Sequence, residues 1–322
     1  MPTYNRAPLL SMTLRSIAEQ EYARVEAVVV DDGSTDATAE VVDACRRIFD
    51  ERSAALKYRR LATTSGPAAA RNLAVSMAEG SLLAFIDSDD AWRRRFLATT
   101  VPLLDAHPEC AVAFSGAERL DAAGRPLGPL DHGLPLDPSE GVLRTPFERL
   151  VRHMPFRTSC TLLRSAEFHA VGGFDEALRS GEDWDLWWRL AKRVDFAYTL
   201  EVLMDYRDHP GNLSKTLADG PAHSLRFHFK HVADVRDPAA RAADIARIQR
   251  RQIELQELLL AQGRRRDAYR DMLDNAFTPR SLRFRAGRAA MRAPASVGRT
   301  YVRALRLAGR ARRKVLSAYR PR

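Results

Sequence analysis

Cysteine is scarce in this 322-residue chain: Cys45, Cys110 and Cys160 stand far apart, with no C-x-x-C among them. An odd number cannot pair completely, and the spacing suits neither a disulfide framework nor a zinc site. A reduced, cytoplasmic setting with three buried thiols is the expectation. Long hydrophobic runs are also missing. No stretch reaches the roughly 18 apolar residues that a spanning helix needs, and the N-terminus turns polar within five residues, unlike a secretory signal. No glycine-rich phosphate loop with a basic residue opens the chain, and no internal repeat is found. Acidic residues are absent from one end. Between Asn275 and Arg322 there are 14 Lys and Arg and no Asp or Glu, so residues 1–274 hold 37 basic against 41 acidic residues, a net of −4. The formal charge of +10 therefore belongs to the tail, and a uniformly basic protein is excluded. With 45% hydrophobic and 29% charged residues, the chain suits one large domain or a domain with an appendage, not wholesale disorder.

The first half alternates helix and strand patterns. Leu10, Leu14 and Ile17 form a helical stripe, and Val25–Val30 is a β-branched run ending in Asp31-Asp32-Gly33-Ser34. Val41, Val42, Cys45, Ile48 and Phe49 mark the next helix, and Leu56–Leu61 alternates like a half-buried strand. Gly66-Pro67 opens the alanine-rich helix Ala68–Ala78, since proline suits a first helical turn. Leu82–Ile86 is an apolar strand running into Asp87-Ser88-Asp89-Asp90. This order predicts an α/β sandwich with a mainly parallel central sheet, whose ligands bind beyond the strands' carboxyl ends. Both acidic clusters fall there. Ala111–Ser115, Thr158–Leu163 and Val202–Tyr206 read as further strands, Asp121–Gly141 as loop, Gly172-Gly173 as a turn and Asp183–Ala191 as a helix. From Pro221 the pattern is helical, with Ile245, Ile248, Leu255, Leu259, Tyr269 and Leu273 at three-four spacing and Gly263 at a candidate turn. The basic tail is amphipathic, with Val297, Tyr301, Leu305, Ala308 and Tyr319 on one side.

Four segments carry candidate chemistry. In F-I-D-S-D-D-A-W (Phe85–Trp92), carboxylates crowd the end of an apolar strand. They suit a hard cation such as Mg²⁺ or Mn²⁺ bridging to phosphates, or else they merely cap a helix N-terminus. V-V-V-D-D-G-S-T-D (Val28–Asp36) reads as strand, turn and N-cap. In G-G-F-D-E-A-L-R-S-G-E-D-W-D-L-W-W-R-L (Gly172–Leu190), Glu182-Asp183 precede an aromatic helix. A carboxylate there is kept ionised by the helix dipole and can accept a proton from a hydroxyl. Trp184, Trp187 and Trp188 at i, i+3, i+4 place at least two in the core, with sugar stacking the alternative. D-Y-R-D-H-P-G-N-L-S (Asp205–Ser214) offers Arg207 and His209 as cationic or metal-binding groups, or as an ordinary surface pair.

Together these segments resemble the family 2 glycosyltransferases of the GT-A fold. P-T-Y-N-R (Pro2–Arg6), V-V-D-D-G-S-T-D, G-P-A-A-A-R-N (Gly66–Asn72), F-I-D-S-D-D-A-W, G-G-F-D-E followed by G-E-D-W-D-L, and Y-R-D-H occur in the family's order across Pro2 to about Ser214, two thirds of the chain. The resemblance implies a nucleotide site containing Thr3, Tyr4, Arg6, Asp32, Arg71 and Asp87. In it Thr3 and Tyr4 line the base pocket, and Asp32 meets a base ring N–H. Uracil and thymine offer that donor and cytosine does not, so a UDP- or dTDP-sugar is implied. Asp89 and His209 match metal-contacting positions for Mg²⁺ or Mn²⁺, with Asp90 and Arg207 at the diphosphate or one step behind it. Asp183 matches the general base, with Glu182 beside it.

The implied reaction is inverting, metal-dependent transfer of a sugar to a hydroxyl of a glycan or lipid-linked acceptor, in cell-surface polysaccharide assembly. The implied organisation is a GT-A domain over 1–217, a helical extension over 218–275 and a basic amphipathic tail over 276–322. A tail of this kind suits an anionic membrane surface on the inner face of the cell membrane better than nucleic acid. The competing readings are a sugar nucleotidyltransferase, and a non-catalytic binding protein that uses its basic tail. Family members place an apolar strand immediately before P-T-Y-N-R. Here Met1 is expected to be that strand's last residue, with the natural start upstream.

Overall fold

The computed structural model describes residues 1–130, 136–137, 141–213, 220–262, 270–273 and positions 277, 285 and 289. Apart from isolated positions, the basic tail lies outside the described residues, as does the Gly263 turn. The chain divides into two units, Met1–Leu217 and Ala218–Arg322.

In the first unit, each apolar run pairs with a helix that buries one stripe. α1 (Ala7–Ala18) buries Leu10, Leu14 and Ile17, and α2 (Thr38–Glu51) buries Val42, Cys45 and Phe49. Gly66, at φ +95°, turns the chain into α3 (Pro67–Met77), where proline stands at the first turn because no N–H is needed there. The short β1 (Pro2–Thr3), β2 (Glu26–Asp31) and β3 (Ala55–Arg60) form a three-stranded sheet in that order, parallel throughout, with Thr3 opposite Asp31. Met1 joins it through its backbone nitrogen, which donates to the Val28 carbonyl at 2.8 Å. A groove of about 350 Å³ runs between residues of β2 and the start of the second sheet.

That second sheet has seven strands. Along its path lie β4 (Leu82–Ala84), β9 (Thr161–Arg164), β6 (Cys110–Leu120), β10 (Asp195–Arg207) and β5 (Ala91–Trp92). β7 (Pro126–Pro129) pairs with β6, and β8 (Val142–Leu143) pairs with β10. The α/β class expected from the sequence holds, with two sheets in place of one. Parallel pairing fills the first sheet, but the second is mixed rather than mainly parallel: β6–β10 is parallel, whereas β9 on β4 and β6, β5 and β8 on β10, and β7 on β6 are antiparallel. Several elements are longer or more finely divided than the patterns suggest. Val202–Tyr206 is the end of the bulged strand β10, Thr158–Leu163 splits into the 3₁₀ turn Thr158–Cys160 and β9, and β7 lies inside the expected loop. Helices α4 (Phe96–Ala106), α5 (Pro146–Arg152) and α6 (Ser165–Ala170) complete the stretches between strands. α7 runs from Glu182 to Ala191.

Trp187 and Trp188 are fully buried, so those members of the aromatic triplet are core. Phe85 sits edge-on to Phe174 at 5.2 Å and to Trp187 at 6.3 Å between ring centres. The three thiols are free and buried. In the second unit, helices Gly220–His231 and Pro238–Gln262 enclose Leu225, Val232, Ile248, Leu255, Leu259 and Leu273. There the buried His228 Nδ1 lies 2.7 Å from Asp244 Oδ1. Among the described residues, no helix is long and apolar enough to cross a membrane.

Candidate active site

The ends of β2 and β4, the turn before α3, the Thr158–Cys160 turn and the start of α7 converge on one cavity of about 650 Å³. Six carboxylates and four guanidiniums line it. Its floor is fixed by short-range hydrogen bonding. Asn5 adopts φ +49°, and its Oδ1 accepts the Thr35 N–H at 2.8 Å, while the Asn5 N–H donates to Ser34 Oγ at 2.9 Å. This ties the Pro2–Arg6 segment to the turn after β2. Gly33, at φ +84°, supplies the left-handed residue of that turn. Asp32 accepts backbone N–H groups from Ser65 at 2.6 Å and Gly66 at 2.9 Å. It therefore orders the entry to α3 and keeps lone pairs for a further donor. Thr3 is buried, Tyr4 is exposed, and both line the cavity beside Asp32.

A buried guanidinium joins the two acidic motifs. Arg71, on α3, donates to Asp87 Oδ1 at 2.7 Å and to Glu182 Oε1 at 2.8 Å, and it stacks over Phe174 at 5.4 Å. Burial works against its charge, but Asp87 and Glu182 more than offset it. Glu182 is pushed up to about 7 by burial and then by Asp183 beside it, against the pull of Arg71. Asp183, half-buried at the first turn of α7, accepts the Thr158 hydroxyl on Oδ2 at 3.1 Å and the Trp184 N–H on Oδ1 at 2.8 Å. The Trp187 indole N–H reaches the same Thr158 hydroxyl at 3.4 Å.

The Asp87–Asp90 cluster is held from the opposite side. Ser159 donates to Asp90 Oδ2 at 2.6 Å and accepts the Asp87 N–H at 3.1 Å. Burial, Asp87 and Asp89 push the Asp90 carboxyl well up; the Ser159 hydroxyl and the Arg207 N–H oppose them. Asp89 is raised by burial and by Asp87 and lowered by His209 and Arg6. Its Oδ2 lies 3.0 Å from His209 Nε2 and 3.5 Å from Arg6 Nε. Since His209 Nδ1 accepts the Gly211 N–H at 3.1 Å, Nε2 carries the proton and donates to Asp89.

Among the described residues no group of three or more His, Cys, Asp or Glu stands ready to hold a metal. Hard divalent ions nevertheless bind through one or two carboxylates, water and substrate phosphates. Asp89, on the cavity wall with its carboxyl raised by burial and then by Asp87, would fit that role. Arg207 departs from the pattern. Its backbone N–H reaches Asp90 at 3.2 Å, but its guanidinium turns from the cavity wall to Met12 Sδ and the Ala122 carbonyl.

Of the residues singled out in the sequence, Thr3, Tyr4, Arg6, Asp32, Arg71, Asp87, Asp89, Asp90, Glu182 and Asp183 line one cavity, and His209 sits behind Asp89. Thr158, Ser159 and Arg157 were not anticipated. Hydroxyls are too common to stand out, and Thr158 and Ser159 lie 25 to 72 positions from the carboxylates they serve, so no local pattern marks them.

Residues 1–156 match glycosyl transferase family 2. A putative teichuronic acid biosynthesis glycosyltransferase TuaG of Bacillus subtilis is 34% identical over 131 residues, 41% of this chain and 50% of that protein. Poly(ribitol-phosphate) beta-N-acetylglucosaminyltransferase TarS of Staphylococcus aureus is 37% identical over 110 residues, 33% of this chain and 18% of that protein. The chain thus spans half or less of these relatives' length. In structure, TarS 1–349 in complex with UDP-GlcNAc superposes with TM-score 0.56 at 19% identity, covering 95% of this chain and 90% of that one. The mannosyltransferase PcManGT of Pyrobaculum calidifontis, in complex with GDP-Man and Mn²⁺, superposes with TM-score 0.58 at 21% identity, covering 95% and 84%. At such identities the superpositions speak for the fold.

Proposed function

Starting from the premise that residues 1–156 form a glycosyl transferase family 2 domain, we propose that the chain transfers a sugar, with inversion, from a nucleotide-sugar to an acceptor hydroxyl. The observation that carries this reading is Asp183. It opens α7, is held by a hydroxyl from a separate turn, and shares a cavity with Asp32 and the Asp87–Asp89 pair. Asp183 accepts the proton of the acceptor hydroxyl as its oxygen attacks the anomeric carbon. The carbon–oxygen bond to the nucleotide breaks on the opposite face, through a transition state resembling an oxocarbenium ion. Thr158 fixes the direction of the Asp183 carboxylate.

Asp32, Thr3 and Tyr4 receive the base, and a ring N–H on uracil or thymine suits the carboxylate of Asp32. Asp87, fixed by Arg71, faces the ribose. Asp89, with His209 beside it, would hold a divalent cation, which supplies Lewis-acid stabilisation of the departing diphosphate. Arg6 and Asp90 set the position of that carboxylate. By analogy with teichuronic acid and poly(ribitol-phosphate) enzymes, the acceptor is a cell-envelope glycan or polymer. The GT-A catalytic domain extends over 1–217, the helical extension over 218–275, and the 276–322 tail attaches the enzyme to an anionic membrane. The test is Asp183→Asn, read by donor turnover and UDP affinity. Loss of turnover with UDP affinity retained is expected. Turnover equal to the parent protein's refutes the assignment.

A further inference from the structure

The four guanidiniums on the cavity wall are not equivalent. Arg6 lies against Asp89, and Arg71 bridges Asp87 and Glu182. Arg157 is exposed and forms no ion pair among the described residues. Its guanidinium carbon rests 5.0 Å above the Tyr206 ring, a cation–π contact that holds the charge in place while leaving its N–H fork free. The next residue is Thr158, the donor to Asp183. Arg179, three positions before Glu182, lines the same wall. The Asp87–Asp89 group, by contrast, already has cations of its own in Arg6 and Arg71.

We infer that Arg157 takes an oxyanion of the acceptor, so that the substrate hydroxyl reaching Asp183 belongs to a phosphate- or carboxylate-bearing polymer. This inference rests on the reading of Asp183 as the base. A guanidinium fork matches either anion through paired N–H bonds. An anion held beside Thr158 brings a nearby hydroxyl to Asp183 without setting its own charge against the six cavity carboxylates unscreened. Arg157 is thus a specificity-determining residue rather than a proton-transfer group.

The test uses the full chain saturated with UDP and three fluorescent probes: a poly(ribitol phosphate) fragment, an oligoglucuronate and a neutral dextran oligomer. At least one anionic probe is expected to bind more tightly than dextran. Arg157→Gln is expected to weaken that binding about tenfold or more, as for a lost charge-assisted bond. Arg157→Lys should recover part of it. Arg47→Gln removes the same charge from the far, exposed face of α2, and it should change nothing. The inference is overturned if dextran binds as tightly as both anions, or if Arg157→Gln leaves anion binding unchanged. It is also overturned if Arg157→Gln weakens UDP and probe alike, which would give Arg157 to the donor diphosphate. Failure of the parent protein to bind UDP at all, or full donor turnover by Asp183→Asn, refutes the underlying reading of the site instead.

Discussion

Arg71→Met separates the site's architecture from its chemistry. The substitution keeps most of the side-chain volume and removes the cation between Asp87 and Glu182. Arg71 and Glu182 side chains are only 6% and 8% exposed, against 42% for Asp87. The Glu182 pair therefore dominates, and the Asp87 pair is largely screened. Removing one partner of a buried pair costs about 3–5 kcal/mol, because the other charge stays desolvated. The cost depends on pH. Glu182 is already raised to about 7 from an ordinary 4.5, and without Arg71 it rises further. Between the unfolded value and that raised folded value, the folded state binds more protons, so stability falls as pH rises. Above pH 7 the loss grows by at most about 1.4 kcal/mol per pH unit until the variant's own carboxyl ionises, so about 2–3 kcal/mol is expected at pH 8 and the full loss only at higher pH. Near pH 5 the protonated carboxyl reduces the loss to about 1–2 kcal/mol of hydrogen bonding and packing. All four tryptophans lie within 1–217, so tryptophan fluorescence in urea reports this unit. Arg71→Met combined with Glu182→Gln should regain stability at pH 8. A loss below about 1 kcal/mol at pH 8, or one that does not vary with pH, refutes the reasoning.

Two further outcomes are expected. Thr158→Val removes a hydrogen bond to a carboxylate, so donor hydrolysis with water as acceptor should fall about 10- to 100-fold. Thr158→Ser should retain the parent rate, and an unchanged rate in Thr158→Val would count against the positioning role. Asp89→Asn should weaken Mn²⁺ binding in the presence of UDP by about tenfold or more, and His209→Ala by a smaller factor. Free Mn²⁺ measured by electron paramagnetic resonance reads this directly, and parent-like affinity in both variants would exclude Asp89 as the metal residue.

What the sequence made legible follows from how local each signal is. Apolar runs ending in Asp31-Asp32 and Asp87–Asp90 specify both the strands and the side of the sheet where carboxylates gather, since strand and turn are contiguous. Pro67 after Gly66 fixes the start of α3 in the same way. The direction of β9 was not legible, because pairing with β4 and β6 depends on residues 47 to 82 positions away. The full length of β10 was hidden too: its register shifts against β6 break the alternation before Val202. Within the site, the acidic residues stood out as clusters, whereas their organisers did not. Arg71 gains its bridging role only when α7 arrives from 111 positions away. Thr158 and Ser159 divide two carboxylates between adjacent hydroxyls, and no spacing rule foretells that. Arg207 illustrates the converse. Its place in Y-R-D-H suggested a group at the diphosphate or one step behind it, and the fold turns its backbone N–H to Asp90 and its guanidinium to Met12.

In the proposed reaction Asp183 drives single-displacement transfer from a nucleotide-sugar. Its most direct test follows the anomeric proton by NMR while the protein, with Mn²⁺, turns over α-linked UDP-, dTDP- and GDP-sugars. Release of UDP or dTDP with the β-anomer formed first is expected, and none of this with Asp183→Asn. An α-anomer formed first, or equal turnover by Asp183→Asn, would contradict it.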